Sequence, residues 1–418
     1  MRTRFTDCAF LLPGHEVGYG TLEIEDGRIA AIDDEPLGGR RAERLVMPGL
    51  INAHGHTAMT LVRGLGCGLP LQRWLEEAIF PVEAKMTAAD IRSGARWGAM
   101  EMLAGGTTCV ADMYDFPEEG EKAFAEAGMR SHTCRVGLNF VPGRLEECVA
   151  FAKGEEAGLA KRDLCIHSEY LTDEAFCRGL AAANRELKRP VHLHVSETRK
   201  EHEECIARHG KTPIAYLAET GLLDNGGYAA HCVYCTDEDF RIMAEKGVAM
   251  VHNPTSNMKL GSGFARVLRA KERGVTVALG TDGCASNDNL NLFEEMHLAA
   301  LIHKGISGDP TALGAWEVID MATVNGAKAL GRDDLGELAV GKAADLAVID
   351  LGKTHLTPAT AIENLVVYSM QASDVVETWV AGEKVYDRGV YPKLDACGAR
   401  REFMEAVGRL SGASEGGL

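Results

Sequence analysis

The chain has 418 residues, 46% hydrophobic and 25% charged, proportions of a globular protein long enough to bury a large core. With 44 Lys and Arg against 61 Asp and Glu, the formal charge is −17, which argues against nucleic acid or an anionic membrane as partner. The N-terminal MRTRFTDCAFLLPGHEVGYG lacks the small-residue cleavage site of a signal peptide, and no stretch approaches the ~18 uninterrupted apolar residues of a spanning helix, so a cytoplasmic protein is expected.

In chain order, the first 48 residues read as short strands, with TLEIEDGRIAAID alternating around a turn at Asp26-Gly27. From residue 49 to 333 the pattern changes. Apolar β-type runs occur at GLINAHGH, TTCVADMY, RSHTCRVGL, DLCIHSEY, PVHLHVSE, YAAHCV, VAMVHNP and TVALGTDG. Helical patterns such as EEGEKAFAEAGM, DEAFCRGLAAANREL and DEDFRIMAEKG fall between most of them. Eight strands alternating with helices predict an α/β fold, a TIM-like (β/α)8 barrel, and no Gly-x-Gly-x-x-Gly follows the first strand to suggest an open doubly wound sheet. Beyond residue 333, GELAVGKAADLAVIDL and DVVETWVAGEKVYDRG return to the style of the N-terminus. The expected organisation is therefore a composite β-sandwich domain from residues 1–48 and 334–395, a barrel at 49–333, and a C-terminal helix or tail at 396–418. Most of the 12 cysteines lie in apolar runs and read as buried thiols of a reducing compartment. The Cys232-x-x-Cys235 pair has no companion pair and reads as packing, not as a zinc knuckle.

In such a barrel the active site lies at the C-terminal ends of the strands. His54 and His56 close the first strand and, at i and i+2, project from one side of it. His167 closes the fourth, His194 with Glu197 the fifth, His231 the sixth, His252 the seventh and Asp282 the eighth. A single histidine at a strand end is commonly structural. A set of imidazoles and a carboxylate around one mouth instead suggests a divalent metal, zinc or alternatively ferrous iron, held by His54, His56, His194 and Asp282.

The stretches PGLINAHGHTAMTLVRG, HLHVSET, AHCVY, HNPTSNMKLGSG and LGTDGCASNDNLNLFEEM resemble the amidohydrolase superfamily. Within it they are similar to the branch containing methylthioadenosine/S-adenosylhomocysteine deaminases and triazine chlorohydrolases. The resemblance assigns the same four ligands. It implies one metal per chain, since DLCIHSEY offers no lysine for the carbamate that bridges two metals in other branches. It also implies that Glu197 is the general acid/base, that His231 polarises the reacting group, and that Asp282 acts as base as well as ligand. Glu83 would bind ribose hydroxyls and His167 would lie near the purine, while Arg135 and Arg144 would meet a substrate carboxylate. The implied activity is hydrolytic deamination at C6 of an adenosine-like nucleoside: S-adenosylhomocysteine, 5′-methylthioadenosine, adenosine or 5′-deoxyadenosine. A deaminase or chlorohydrolase of a free base or s-triazine is the alternative on the same fold, and a non-catalytic scaffold the alternative of another class. A homo-oligomer is expected.

Overall fold

Alternating apolar residues at the two ends of the chain build one seven-stranded sheet. The computed structural model describes residues 2–35, 37–38 and 41–411. It orders this sheet Glu383–Asp387, Val375–Val380, Leu346–Asp350, Arg44–Pro48, Arg2–Leu12, Glu16–Glu25 and Arg28–Asp34. Asp26 and Gly27 take φ of 47° and 79°, the left-handed pair that a two-residue hairpin needs to match strand twist. Phe5 and Trp379 stand three strands apart in this order, roughly 14 Å in a flat sheet. Their ring centroids are nevertheless 5.4 Å apart. The sheet therefore curls, enclosing Phe10, Leu22, Ile24, Val46 and Val348.

Each apolar run of the middle segment contributes a strand, and all of these pair in parallel in two five-stranded sheets. The first is ordered Asp282–Gly283, Leu50–His56, Thr107–Tyr114, Arg130–Arg135 and Ala160–Arg162. The second is ordered Val277–Leu279, Val248–His252, Gly227–His231, Val191–Val195 and Leu164–Cys165. The run TVALGTDG thus serves both sheets, broken midway, while Ala160–Arg162, just ahead of DLCIHSEY, ends one sheet and Leu164–Cys165 within that run begins the other. At Asp163 the break surrounds a buried carboxylate that accepts from Tyr228 Oη at 2.7 Å and contacts His132 Nδ1 at 2.9 Å. At Gly280-Thr281, the Thr281 N–H donates to the Asn52 side chain at 3.0 Å instead of to a neighbouring strand. Gly280 has no room for a side chain, since a Cβ would lie 2.5 Å from Asn253 Oδ1.

The helical patterns settle between the strands at Pro117–Ala127, Glu174–Leu187 and Asp237–Lys246. The last begins with a capping box between Thr236 and Asp239. One part of the expected C-terminal β region behaves differently. Residues 351–370 leave the sheet, and Leu356, Ile362, Val366 and Val367 bury against Met296, Val318 and Ile319 of the middle segment, because their apolar spacing is that of a helix (Ile362–Tyr368). The C-terminal helix Ala396–Ser411 stacks Phe403 on Trp97 at 4.9 Å and pairs Arg409 with buried Asp90. The remainder of the expected tail lies outside the described residues. Among the described residues, no helix is long and apolar enough to cross a membrane.

Candidate active site

Four strand ends deliver ligating side chains to one point. His54 Nε2 lies 3.3 Å and His56 Nε2 3.2 Å from Asp282 Oδ1, and His56 Nε2 is 3.2 Å from His194 Nε2. His231 joins them: one ligating atom each from His54, His194, His231 and Asp282 lies within 4.8 Å of all the others. The sequence reading placed His231 beside the ligands, and the geometry brings it into the ligand cluster itself. His231 and Asp282 take φ of 73° and 62°. Left-handed backbone at non-glycine residues costs of order 1–3 kcal/mol and concentrates at functional sites.

The remaining ring nitrogens are anchored. His56 Nδ1 donates to Met113 O at 2.6 Å and His194 Nδ1 to His167 O at 2.9 Å. Since a carbonyl only accepts, the proton of each neutral ring sits on Nδ1, and the ring then presents a bare Nε2 to the centre. His231 Nδ1 bonds Asn257 Oδ1 at 2.9 Å, and His54 Nδ1 bonds His192 Nε2 at 2.7 Å. His54 Nε2 is buried without a hydrogen-bond partner. Burial holds His54 down to about 4, and His192 and His194 well below the ordinary imidazole range. Burial would raise the Asp282 carboxyl, but the His54 and His56 imidazoles outweigh it and keep it well below the carboxylate range. Ser256 and Ser286 donate to Asp282 Oδ2 at 2.6 and 2.8 Å, leaving Oδ1 to the imidazoles. Burial also lowers His56, yet the Asp282 carboxylate prevails and lifts it to about 9, so the centre attracts positive charge. Inward lone pairs, a buried carboxylate and fixed outer partners form a metal-binding site suited to a borderline divalent cation.

A cavity of about 330 Å³ opens over this cluster, lined by Glu83, His167 and Glu197 among others. Glu197 Oε1 accepts from Ser262 Oγ at 3.2 Å, and Oε2 lies 3.9 Å from His231 Nε2. Its backbone N–H donates to Glu201 Oε2 at 2.7 Å. Burial raises the Glu197 carboxyl against the pull of His231, which is the direction a general acid needs. Glu83 accepts from Tyr114 Oη at 2.5 Å, and burial raises it too. His167 packs 4.5 Å from His194, centroid to centroid, and burial lowers it to about 3. Arg135 and Arg144 do not reach the cavity. Arg135 Nη2 donates to both oxygens of Glu118 at 2.6 and 2.8 Å, and Arg144 Nη1 donates to Asp115 Oδ1 at 2.9 Å. Acidic neighbours hold both guanidiniums in this structure. His252 is also apart, buried against His303 at 3.3 Å.

The amidohydrolase family model matches residues 45–385, from the strand before the histidine pair to the last strands of the seven-stranded sheet. The chain belongs to the amidohydrolase family. A 5-methylthioadenosine/S-adenosylhomocysteine deaminase of Acetivibrio thermocellus is 44% identical over 390 residues, 90% of each chain. A 5′-deoxyadenosine deaminase of Methanosarcina mazei is 42% identical over 383 residues, 88% of each chain. Among solved structures, a zinc-bound adenosine deaminase from Xanthomonas campestris superposes with TM-score 0.90 at 30% identity, covering 97% of this chain and 98% of that one.

Sequence reasoning missed several residues that shape this amidohydrolase site. His192 is one, although it stands two before His194 on the same strand face, the spacing that exposed His54 and His56. Glu201 is another. Its carboxylate accepts the N–H groups of Ser196 and Glu197, both at 2.7 Å, and so holds the loop that carries Glu197. Its position at the third residue of helix Arg199–His209 was the available signal. Ser286, in a turn, and Ser256, in helix Pro254–Lys259, carried none, because serine hydroxyls in such places usually serve nearby backbone.

Proposed function

We propose that this amidohydrolase removes the 6-amino group of adenosine-like nucleosides by metal-dependent hydrolysis, releasing ammonia and the inosine counterpart. The observation that carries the reading is the joint placement of Glu197 and Glu83 on one cavity over the histidine–aspartate cluster. The relatives named as deaminases of such nucleosides support it.

His54, His56, His194 and Asp282 would hold the metal, with His231 beside them. One zinc per chain is proposed, with ferrous iron the alternative, supported by the nitrogen and oxygen donors and by the zinc-bound neighbour. A divalent cation, when bound, acidifies water so that a nucleophile forms near neutral pH. Glu197, its carboxyl raised by burial, delivers a proton to ring nitrogen N1 and so opens C6 to addition. Asp282 accepts the proton of the attacking water and returns it to the departing amino group; as ammonia leaves, the C6 hydroxyl gives its proton to Glu197 and becomes the carbonyl. His231, fixed by Asn257, polarises the group at C6. Glu83, oriented by Tyr114, accepts hydrogen bonds from the ribose hydroxyls, and a bare base or triazine would leave it unused. His167 packs at the purine edge.

We further propose that the two parallel sheets close into the (β/α)8 barrel at 49–333, with the curled seven-stranded sheet as the composite β domain. What supports closure is cyclic pairing: run one pairs with two, two with three, three with Ala160–Arg162 just ahead of run four, and run four itself with five. Pairing continues through six and seven to the first half of eight, whose second half returns to run one. Burial of ten of the 12 cysteines supports a reducing, cytoplasmic setting. The deciding experiment measures ammonia release and loss of adenine absorbance across adenosine derivatives, adenine and a chlorotriazine, with metal analysis of the same sample. A nucleoside should be the best substrate. Adenine or the triazine outrunning every nucleoside would favour the base or triazine reading.

A further inference from the structure

We propose that Asp115 occupies Arg144 at the cavity rim and thereby selects nucleosides whose 5′ group is apolar and uncharged over those ending in a carboxylate. The inference rests on the nucleoside reading above and narrows it.

The cavity wall beyond the ligand cluster is dominated by Trp74, Met86, Ile91, Leu138, Phe140 and Leu171. At its mouth Phe80, Phe116 and Phe140 are 45%, 43% and 67% exposed, large apolar rings turned to water where a ligand would cover them. The carboxylates on the lining are Glu83, Asp115, Glu197 and Asp282, and no lysine or arginine among the described residues joins them.

A substrate tail carrying a carboxylate therefore enters a field of its own sign and loses water without gaining a cation. Arg144 is the nearest remedy, since its partner Asp115 is itself a lining residue. Its Nη1 donates to Asp115 at 2.9 Å and its Nε lies 3.6 Å from Glu147, and its side chain is only 10% exposed. Arg135 is further removed, held by both oxygens of Glu118. A methylthio or methyl group makes no such demand. It gains contact with the aromatic and aliphatic wall, to which thioethers adapt well.

The test compares kcat/KM of the metal-loaded enzyme for 5′-methylthioadenosine, 5′-deoxyadenosine, S-adenosylhomocysteine and a decarboxylated analogue of the last. The two apolar substrates should exceed S-adenosylhomocysteine by about tenfold or more, the scale of one unmet charged partner. The decarboxylated analogue should fall between. Asp115 is half-exposed, so Asp115→Asn keeps its shape while releasing Arg144. In that variant the ratio should shift towards S-adenosylhomocysteine by about tenfold, through a lower KM for that substrate. Adding Arg144→Ala should abolish the shift. Equal or better use of S-adenosylhomocysteine by the parent enzyme would overturn the proposal while leaving nucleoside deamination standing. An unchanged ratio in Asp115→Asn would do the same. Failure of all four nucleosides, with turnover of a base or triazine, would overturn both readings together.

Discussion

Replacing His192 with phenylalanine should weaken metal retention without touching a ligand. His192 Nε2 is the acceptor for His54 Nδ1–H at 2.7 Å, and both residues are fully buried. The proton lies on Nδ1 of His54 whenever Nε2 is committed to a metal. Phenylalanine has no acceptor, so the metal-bound state would carry an unpaired buried N–H, costing about 1–3 kcal/mol. The metal-free protein bears less of this cost, because the proton can move to Nε2, where the Asp282 carboxylate at 3.3 Å attracts it electrostatically. The penalty therefore falls more on affinity than on folding. At about 1.36 kcal/mol per decade it corresponds to roughly 5- to 150-fold weaker binding, which overlaps the 10- to 100-fold typical of outer partners of metal-ligating histidines. The assay is competition with a chelator of known affinity at fixed pH, with urea unfolding of the metal-free forms alongside. His192→Gln, whose amide oxygen can accept, should recover part of the loss. Affinity unchanged within about twofold would refute the reasoning. So would a loss of metal-free stability large enough to explain the change.

Three further outcomes are expected. Glu197→Gln should retain its metal, since its backbone N–H still donates to Glu201, yet lose about 10²–10⁴ in kcat; metal analysis with steady-state kinetics checks both, and near-normal turnover would return Glu197 to a structural role. The parent enzyme should prefer adenosine over 2′-deoxyadenosine by about tenfold or more, because the missing hydroxyl leaves the Glu83 carboxylate underpaired. That preference should shrink in Glu83→Ala, measured as the ratio of kcat/KM values. Burial lifts the Glu295 carboxyl from 4.5 to about 8. The folded state therefore holds a proton that the unfolded chain has released, and this contribution to stability is complete below about 4.5 and lost as pH rises to about 8. Glu295→Gln should flatten that decline, and urea midpoints of parent and variant running parallel across the interval would count against it.

What the sequence determined by itself is the local and repetitive part of the protein. Strand runs such as TTCVADMY are legible because strands buried on both faces read as unbroken apolar stretches, and helices such as Glu174–Leu187 because one face must be apolar. The same periodicity put His54 and His56 on one side of a strand, and the ordered set of strand ends anticipated His194, His231 and Asp282 around one centre. Depth and partnership were decided only by the tertiary structure. His192 and His194 share a strand face, and nothing in their spacing tells which reaches the centre and which supports His54 from behind. Arg135 and Arg144 looked available in the sequence, but Glu118 and Asp115, 17 and 29 residues away, take their charge once strand and loop come together. Residues 351–370 likewise follow their own helical spacing onto the middle segment, away from the sheet that flanks them. The reason is common to all three cases. Periodicity specifies the direction in which a side chain leaves the backbone, whereas the atoms it meets are contributed by distant segments whose approach is set by packing the whole core.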